Sequence, residues 1–143
     1  MPRDVQRRRR IAERCWHVYD LINRYLQPAP EFHEEFLEAA ELAVLSGALQ
    51  AHIAIPPRHS VEIREEYEMR EHELIVASYS YVLVAEGSRA LLRADPLPHH
   101  RVDYRRRRLA HFPHHLHDER GRIQSFSGRL EDFLARAAAL LGR

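Results

Sequence analysis

The apolar residues between positions 49 and 70 recur at every second place. Leu49, Ala51, Ile53 and Ile55 alternate with Gln50, His52 and Ala54, and Val61, Ile63, Tyr67 and Met69 alternate with Glu62, Arg64, Glu66, Glu68 and Arg70. A period of two puts successive side chains on opposite sides of an extended chain, so these runs bury their apolar set only as strands of a sheet with one wet face. Pro56-Pro57-Arg58-His59 supplies the turn between them, and the switch to this period is read as starting at Leu42. Residues 74–85 are apolar on both faces apart from Ser78 and Ser80, as a central strand is. Glu86-Gly87-Ser88 turns the chain into a further strand over 89–94 that ends at Asp95-Pro96. These connections are too short for crossovers, so the pairing is antiparallel.

Residues 109–117 are expected to pair with 123–126 across Asp118-Glu119-Arg120-Gly121. That gives a meander of five to six strands over 42–126, with a basic, histidine-rich loop at 96–108. In front of it, Ile11, Cys15, Val18, Ile22 and Leu26 recur at helical spacing, so 5–26 is an amphipathic helix stopped by Gln27-Pro28-Ala29-Pro30. Residues 31–41 form one or two helical turns through Phe32, Phe36 and Leu37, or an extended linker. Behind the sheet, Ser127 offers an N-cap, Glu131 and Asp132 suit a first turn, and Leu130, Phe133, Leu134, Ala137, Leu140 and Leu141 make the stripe of a helix over 128–141 packed on the sheet. The expected class is α+β, one domain over residues 1–143, a length that buries a sizeable core without staples.

The single cysteine, Cys15, excludes an internal disulfide, suits a reducing cytosol, and is expected to be a small buried apolar residue. No secretory signal pattern is visible and the longest apolar run is too short to span a bilayer as a helix, so the expected location is cytoplasmic, without a membrane partner. The net charge is only +1, yet its signs are segregated: glutamates dominate 31–73, while the first fourteen residues and 89–122 are basic. All 22 basic residues are arginine, a bias that GC-rich coding produces by itself. Their clustering, and not their identity, therefore carries the information.

Six of the eleven histidines lie between His99 and His117. Imidazole gives and takes protons near neutral pH, and a basic neighbourhood disfavours its charged form. On an extended 112–117, His115 and His117 share one face while His114 and Leu116 share the other. His99, His100, His115 and His117 are accordingly the candidate proton-transfer residues. His114 and Phe112 are read as structural, with His114 beside Leu116 towards the core, and His111 falls on the face of His115. Arg101, Tyr104, Arg105, Arg106, Arg107 and Arg108 form a basic run with an aromatic neighbour, the composition of a phosphate-backbone grip. No phosphate-cradling glycine loop is present.

Three segments carry a family likeness: Tyr79-Ser80-Tyr81; Arg93-Ala94-Asp95 leading to Pro98-His99-His100; and Phe112-Pro113-His114-His115-Leu116-His117. Together they resemble the TumE-like toxin family of bacterial and archaeal toxin-antitoxin systems, over roughly the second half of the chain. The chain departs from that pattern at Ala94-Asp95-Pro96, where the family has an aromatic-Asp-Asn step, and at His111, where it has a small residue. The resemblance implies a small cytoplasmic growth inhibitor neutralised by a helix-turn-helix antitoxin, and leaves its target open.

From the residues, the leading chemistry is metal-independent cleavage of RNA without a cofactor. A neutral histidine takes the ribose 2′-hydroxyl proton, a protonated one serves the leaving oxygen, and arginines meet the charge that develops. One alternative is an inhibitor that occupies a nucleic acid or the ribosome without cutting. A second is a zinc-dependent hydrolase, although His115-x-His117-Asp118 matches known metal motifs only in part and no metal ligand is assigned. A homodimer is compatible with each.

Overall fold

The computed structural model describes residues 2–143. Helix α1 (Arg3–Tyr25) is followed by α2 (Phe32–Ser46) and by strands β1 (Ala48–Ile55), β2 (His59–Arg70), β3 (Glu73–Val84), β4 (Ala90–Asp95), β5 (His115–His117) and β6 (Ile123–Ser125), and α3 (Leu130–Leu140) closes the chain. The strands form one six-stranded sheet in sequence order, antiparallel throughout. The three helices cover one face. The α+β class, the meander and the C-terminal helix on the sheet are as the sequence implies.

The face under the helices is built by the alternation. Leu49, Ile53 and Ile55 of β1, Val61 and Ile63 of β2, Tyr79, Tyr81 and Leu83 of β3, and Leu92 and Ala94 of β4 are all buried. Against them lie Ile11, Cys15, Val18, Leu21 and Ile22 from α1, Phe32 and Phe36 from α2, and Phe133, Leu134 and Ala137 from α3. Full burial of one such side chain is worth about 1.5–3 kcal/mol, and this layer is the main source of stability. Cys15 is buried within it, and desolvation pushes its thiol up to about 11.

Three sequence expectations need correction. Residues 31–41 are neither a linker nor one or two turns, but most of a 15-residue helix, and the sheet does not begin at 42. Leu42 and Leu45, three residues apart as on a helix and not two as on a strand, sit exposed on the last turns of α2, where an alanine- and leucine-rich stretch favours helix. Gly47 then ends α2 with φ 84°, a left-handed conformation that favours glycine, and its N–H on the Ala43 carbonyl. Residues 109–114 are turns and not strand, so only His115–His117 reach the ladder; Pro113, without an N–H, cannot continue it. Finally, Ser127 does not cap a helix starting at 128. Helix α3 starts at Leu130, and the Ser127 hydroxyl accepts from the Arg129 N–H and donates to Asp132.

One core-facing position is a carboxylate. Glu65 lies in phase with Val61 and Ile63 on β2 and is 1% exposed. Its oxygens accept from Arg14 Nε and Nη2 at 3.0 and 2.7 Å and from the Tyr67 and Tyr81 hydroxyls at 2.8 and 2.5 Å. Four donors compensate the lost hydration of a buried anion. Burial and the Glu65 charge raise both phenols, so they remain donors. The network ties α1 to β2 and β3. Truncating Glu65→Ala strands the Arg14 guanidinium and both hydroxyls, so urea denaturation is expected to show a loss of about 3–5 kcal/mol. Glu65→Leu combined with Arg14→Leu, Tyr67→Phe and Tyr81→Phe, which removes every member of the network, is expected to recover most of it.

Candidate functional site

Strands β4 and β5 pair with Arg93 opposite His117, Ala94 opposite Leu116 and Asp95 opposite His115. Ala94 and Leu116 point into the core, at 0% and 1% exposure. Alternation therefore sends Arg93, Asp95, His115 and His117 to the face away from the helices. His99 and His100 are delivered onto that face by the turn after β4, which opens with the Leu97 N–H on Asp95 Oδ1 at 2.9 Å. The His100 ring centroid lies 5.0 Å from that of His115 and 5.3 Å from that of His117; His115 and His117 are 5.1 Å apart, and His99 is 5.3 Å from His115. One ring nitrogen from each of the four lies within 4.8 Å of every other. The two stretches of chain thus converge on one spot, and all four candidate proton-transfer residues are in it.

Their environments differ. His115 is completely buried, with the His99 and His100 rings against it, and β6 lies outside its strand in the sheet. Its Nδ1 is 3.1 Å from the Pro113 carbonyl oxygen, which only accepts, so Nδ1 carries a proton and Nε2 is the nitrogen turned to other partners. That Nε2 has no hydrogen-bond partner; the Asp95 carboxylate stands 3.5 Å away. His117 Nε2 accepts from Arg93 Nη2 at 3.3 Å. Burial first, then the Arg93 charge and the neighbouring imidazoles, hold His117 down at about 4. Burial, His99 and His115 lower His100 in the same direction. The depression expected from the sequence is present, but burial and Arg93 cause it, not the arginine run. His100 and His117 are thereby favoured in the neutral form, in which a ring nitrogen accepts a proton or binds a cation.

The other candidates fall outside the cluster. His114 is structural, as its side of the strand implies: Nδ1 is 2.8 Å from the Tyr79 hydroxyl, the two rings stack, and the His114 ring fills the space beside Gly128. His111 is exposed, and its carbonyl oxygen accepts from the His114 N–H. Phe112 does not reach the core; it is 43% exposed, with the Arg101 guanidinium 5.3 Å over its ring. Among the described residues, no hydrogen bond joins Arg101, Arg105, Arg106, Arg107 or Arg108 to the four imidazoles, and the nearby guanidinium is that of Arg93.

The run is instead organised by Asp103. Its Oδ1 accepts from the Arg105 and Arg107 N–H groups at 2.8 and 2.9 Å, and its Oδ2 accepts from Arg107 Nε at 3.1 Å. The same turn recurs at Asp118, whose Oδ1 accepts from the Arg120 and Arg122 N–H groups and whose Oδ2 accepts from Arg122 Nε. In each, the residue before the last arginine has positive φ, 65° at Arg106 and 74° at Gly121. Backbone bonds, first that from Arg107, lower the Asp103 carboxyl; burial acts to raise that of Asp118, and its bonds from Arg122 and Arg120 outweigh it. Arg107 and Arg122 are thus engaged in turn closure. Arg122 also lies 4.5 Å over the Tyr104 ring and Arg105 5.3 Å from it. The Asp-x-Arg-x-Arg spacing, present twice, is the sequence signal for this device, while Arg93 and Asp95 become visible as site residues only through the pairing register.

The chain matches no protein-family model, no curated protein and no solved structure in comparisons with each. Among the described residues no helix is long and apolar enough to cross a membrane.

The depressed histidines bear on stability. His117 binds a proton near 6.5 when unfolded but only near 4 when folded, so the unfolded chain holds more protons between those values and stability falls as pH drops through that window. His100 and His114 act in the same sense. A ring-proton NMR titration is expected to place His117 near 4, and urea midpoints are expected to fall from pH 7 towards pH 4.

Proposed function

We propose that the protein is a small cytoplasmic toxin that cleaves RNA at the four-imidazole cluster. The observation that carries this reading is the convergence of His99 and His100 with His115 and His117, side by side with the Arg93 guanidinium. Phosphodiester transfer needs a base for the attacking hydroxyl, positive charge at the phosphorane and a proton for the departing 5′-oxygen. The imidazole that takes the 2′-hydroxyl proton becomes an imidazolium, and the cluster returns that proton to the 5′-oxygen as the P–O5′ bond breaks. An imidazole held neutral is in the base form at cellular pH, and Arg93, 3.3 Å from His117, supplies charge that cannot be titrated away. RNA carries its own nucleophile in the 2′-hydroxyl, which makes it the better substrate for such a group. The exposed Arg101, Arg105, Arg106 and Arg108 add a basic surface on the loop that delivers His99 and His100.

The likeness of the two histidine blocks to TumE-like toxins supports the same reading, and with it a helix-turn-helix antitoxin as the partner that restrains the activity. Free or ribosome-bound RNA is the target.

Incubation of the purified chain with labelled RNA tests this. Cleavage is expected for the wild type and a loss of about 10²–10⁴-fold for His100→Ala and His117→Ala. Exchange of Arg105 and Arg106 for serine is expected to weaken RNA binding and to reduce the slope of log affinity against log salt by about 0.7 for each phosphate that is no longer neutralised. Tight binding that leaves RNA intact would replace catalysis by occupancy, and the absence of both cleavage and binding would overturn the reading.

A further inference from the structure

We propose that His99, His100, His115 and His117 form a binding site for one divalent transition-metal ion, zinc being the best match to the donors. This departs from the cofactor-free expectation of the sequence. An ion held by all four rings occupies the lone pairs that proton transfer uses, so the loaded protein is the inactive form of the proposed nuclease. Cleavage is therefore assayed on the metal-stripped chain, and the site itself stands whether or not that chain cuts RNA.

Convergence is the first argument. The four donor atoms lie within 4.8 Å of one another. A tetrahedral zinc ion about 2.0–2.1 Å from each nitrogen sets the donors about 3.3 Å apart. The ladder holds the backbone of His115 and His117, while His99 is exposed on the 96–100 turn and has room to move, so closing to that separation needs side-chain rotation and adjustment of this turn and no change of the sheet. An all-imidazole set suits zinc, copper or nickel, and not magnesium or calcium, which demand oxygen.

His115 supplies the second argument. The ring is fully buried, and its Nε2 lacks any hydrogen-bond partner. With Nδ1–H committed to the Pro113 carbonyl, Nε2 is the nitrogen left to bind an ion, and the Asp95 carboxylate stands 3.5 Å from it. In the neutral ring both are acceptors, a contact that either a proton or a metal ion relieves; the three further imidazoles within 4.8 Å supply the donor set of a metal ion. Fixing one ring nitrogen on a backbone carbonyl is also how metal-ligating histidines are commonly oriented.

One interaction opposes the ion. Arg93 donates to His117 Nε2, and its charge repels a second cation. The side chain is exposed and free to turn away. Arg93 therefore becomes a probe: removing it should strengthen metal binding while weakening any RNA cleavage.

The test is a calorimetric titration of the full, metal-stripped chain with zinc chloride, with cobalt(II) absorption as a second readout. Expected are one ion per chain, a four-coordinate cobalt spectrum with no thiolate band from Cys15, and tighter binding in Arg93→Ala. His100→Ala and His117→Ala, each checked for native circular dichroism, should weaken zinc by more than about 100-fold, beyond the 10–100-fold that loss of an outer hydrogen-bond partner costs. His52→Ala, a surface histidine paired with Glu62, should change nothing. Absence of saturable uptake at micromolar zinc, uptake indifferent to His100 and His117, or equal loss in His52→Ala would each overturn the site. RNA enters none of these measurements, so zinc binding without cleavage sinks only the nuclease reading, and cleavage with a failed titration sinks only this one.

Discussion

The pairing of β4 with β5 is the constraint on which the rest of the site depends. Leu116 and Ala94 are buried opposite each other in the core, and that apolar pair selects the register. A slip of one residue would turn Leu116 out to water and bring His115 and His117 into the hydrocarbon layer under the helices. The imidazoles thus need no attraction for one another to be placed together. Hydrophobic burial on one face of a strand dictates chemistry on the other, and the turn that begins at Asp95 then has only a short distance over which to bring His99 and His100 back across it.

A second polar device serves a different purpose. The Arg14–Glu65–Tyr67–Tyr81 network is deep in the helix-covered face and fully satisfied, whereas the imidazole cluster on the other face contains a buried nitrogen without a partner. Saturated polar groups in a core fix geometry, whereas an unpaired buried nitrogen retains capacity for a further partner. The contrast within one small domain is why Glu65 is read as architecture and His115 as function.

Much of the fold is legible in the sequence because its signals are periodic. Residues 49–70 announce a hairpin by alternation, 74–85 a central strand by apolarity on both faces, and 130–141 a helix by its stripe. What stays hidden lies in short elements and polar positions. The second half of α2 is masked because its apolar residues, Leu42 to Leu45, run together without a helical stripe and two of them, Leu42 and Leu45, are exposed. Strand β5 looks longer than it is because Phe112 and Leu109 extend its apolar pattern through turns. Glu65 stands in phase with Ile63, but a glutamate in an apolar row reads as a break and not as a member. At the site, alternation separates His114 from His115 and His117 correctly, since it needs only the period of a strand. The roles of Arg93 and Asp95 lie in the partner strand's register, which no local pattern encodes, and the arginine run has the composition of a nucleic-acid grip even though Asp103 uses part of it to close a turn.

Strands β5 and β6 have three residues each, while β2 and β3 have twelve. Ladder bonds are therefore sparse where the imidazoles sit and dense where the domain is anchored. Segments with few cross-strand bonds and exposed turns around them open at lower free energy than long paired strands. The molecule accordingly joins a rigid foundation of long hairpins to a light, separately yielding end, and a visitor to the buried His115 nitrogen can be admitted by breathing of that end alone, with the foundation left closed.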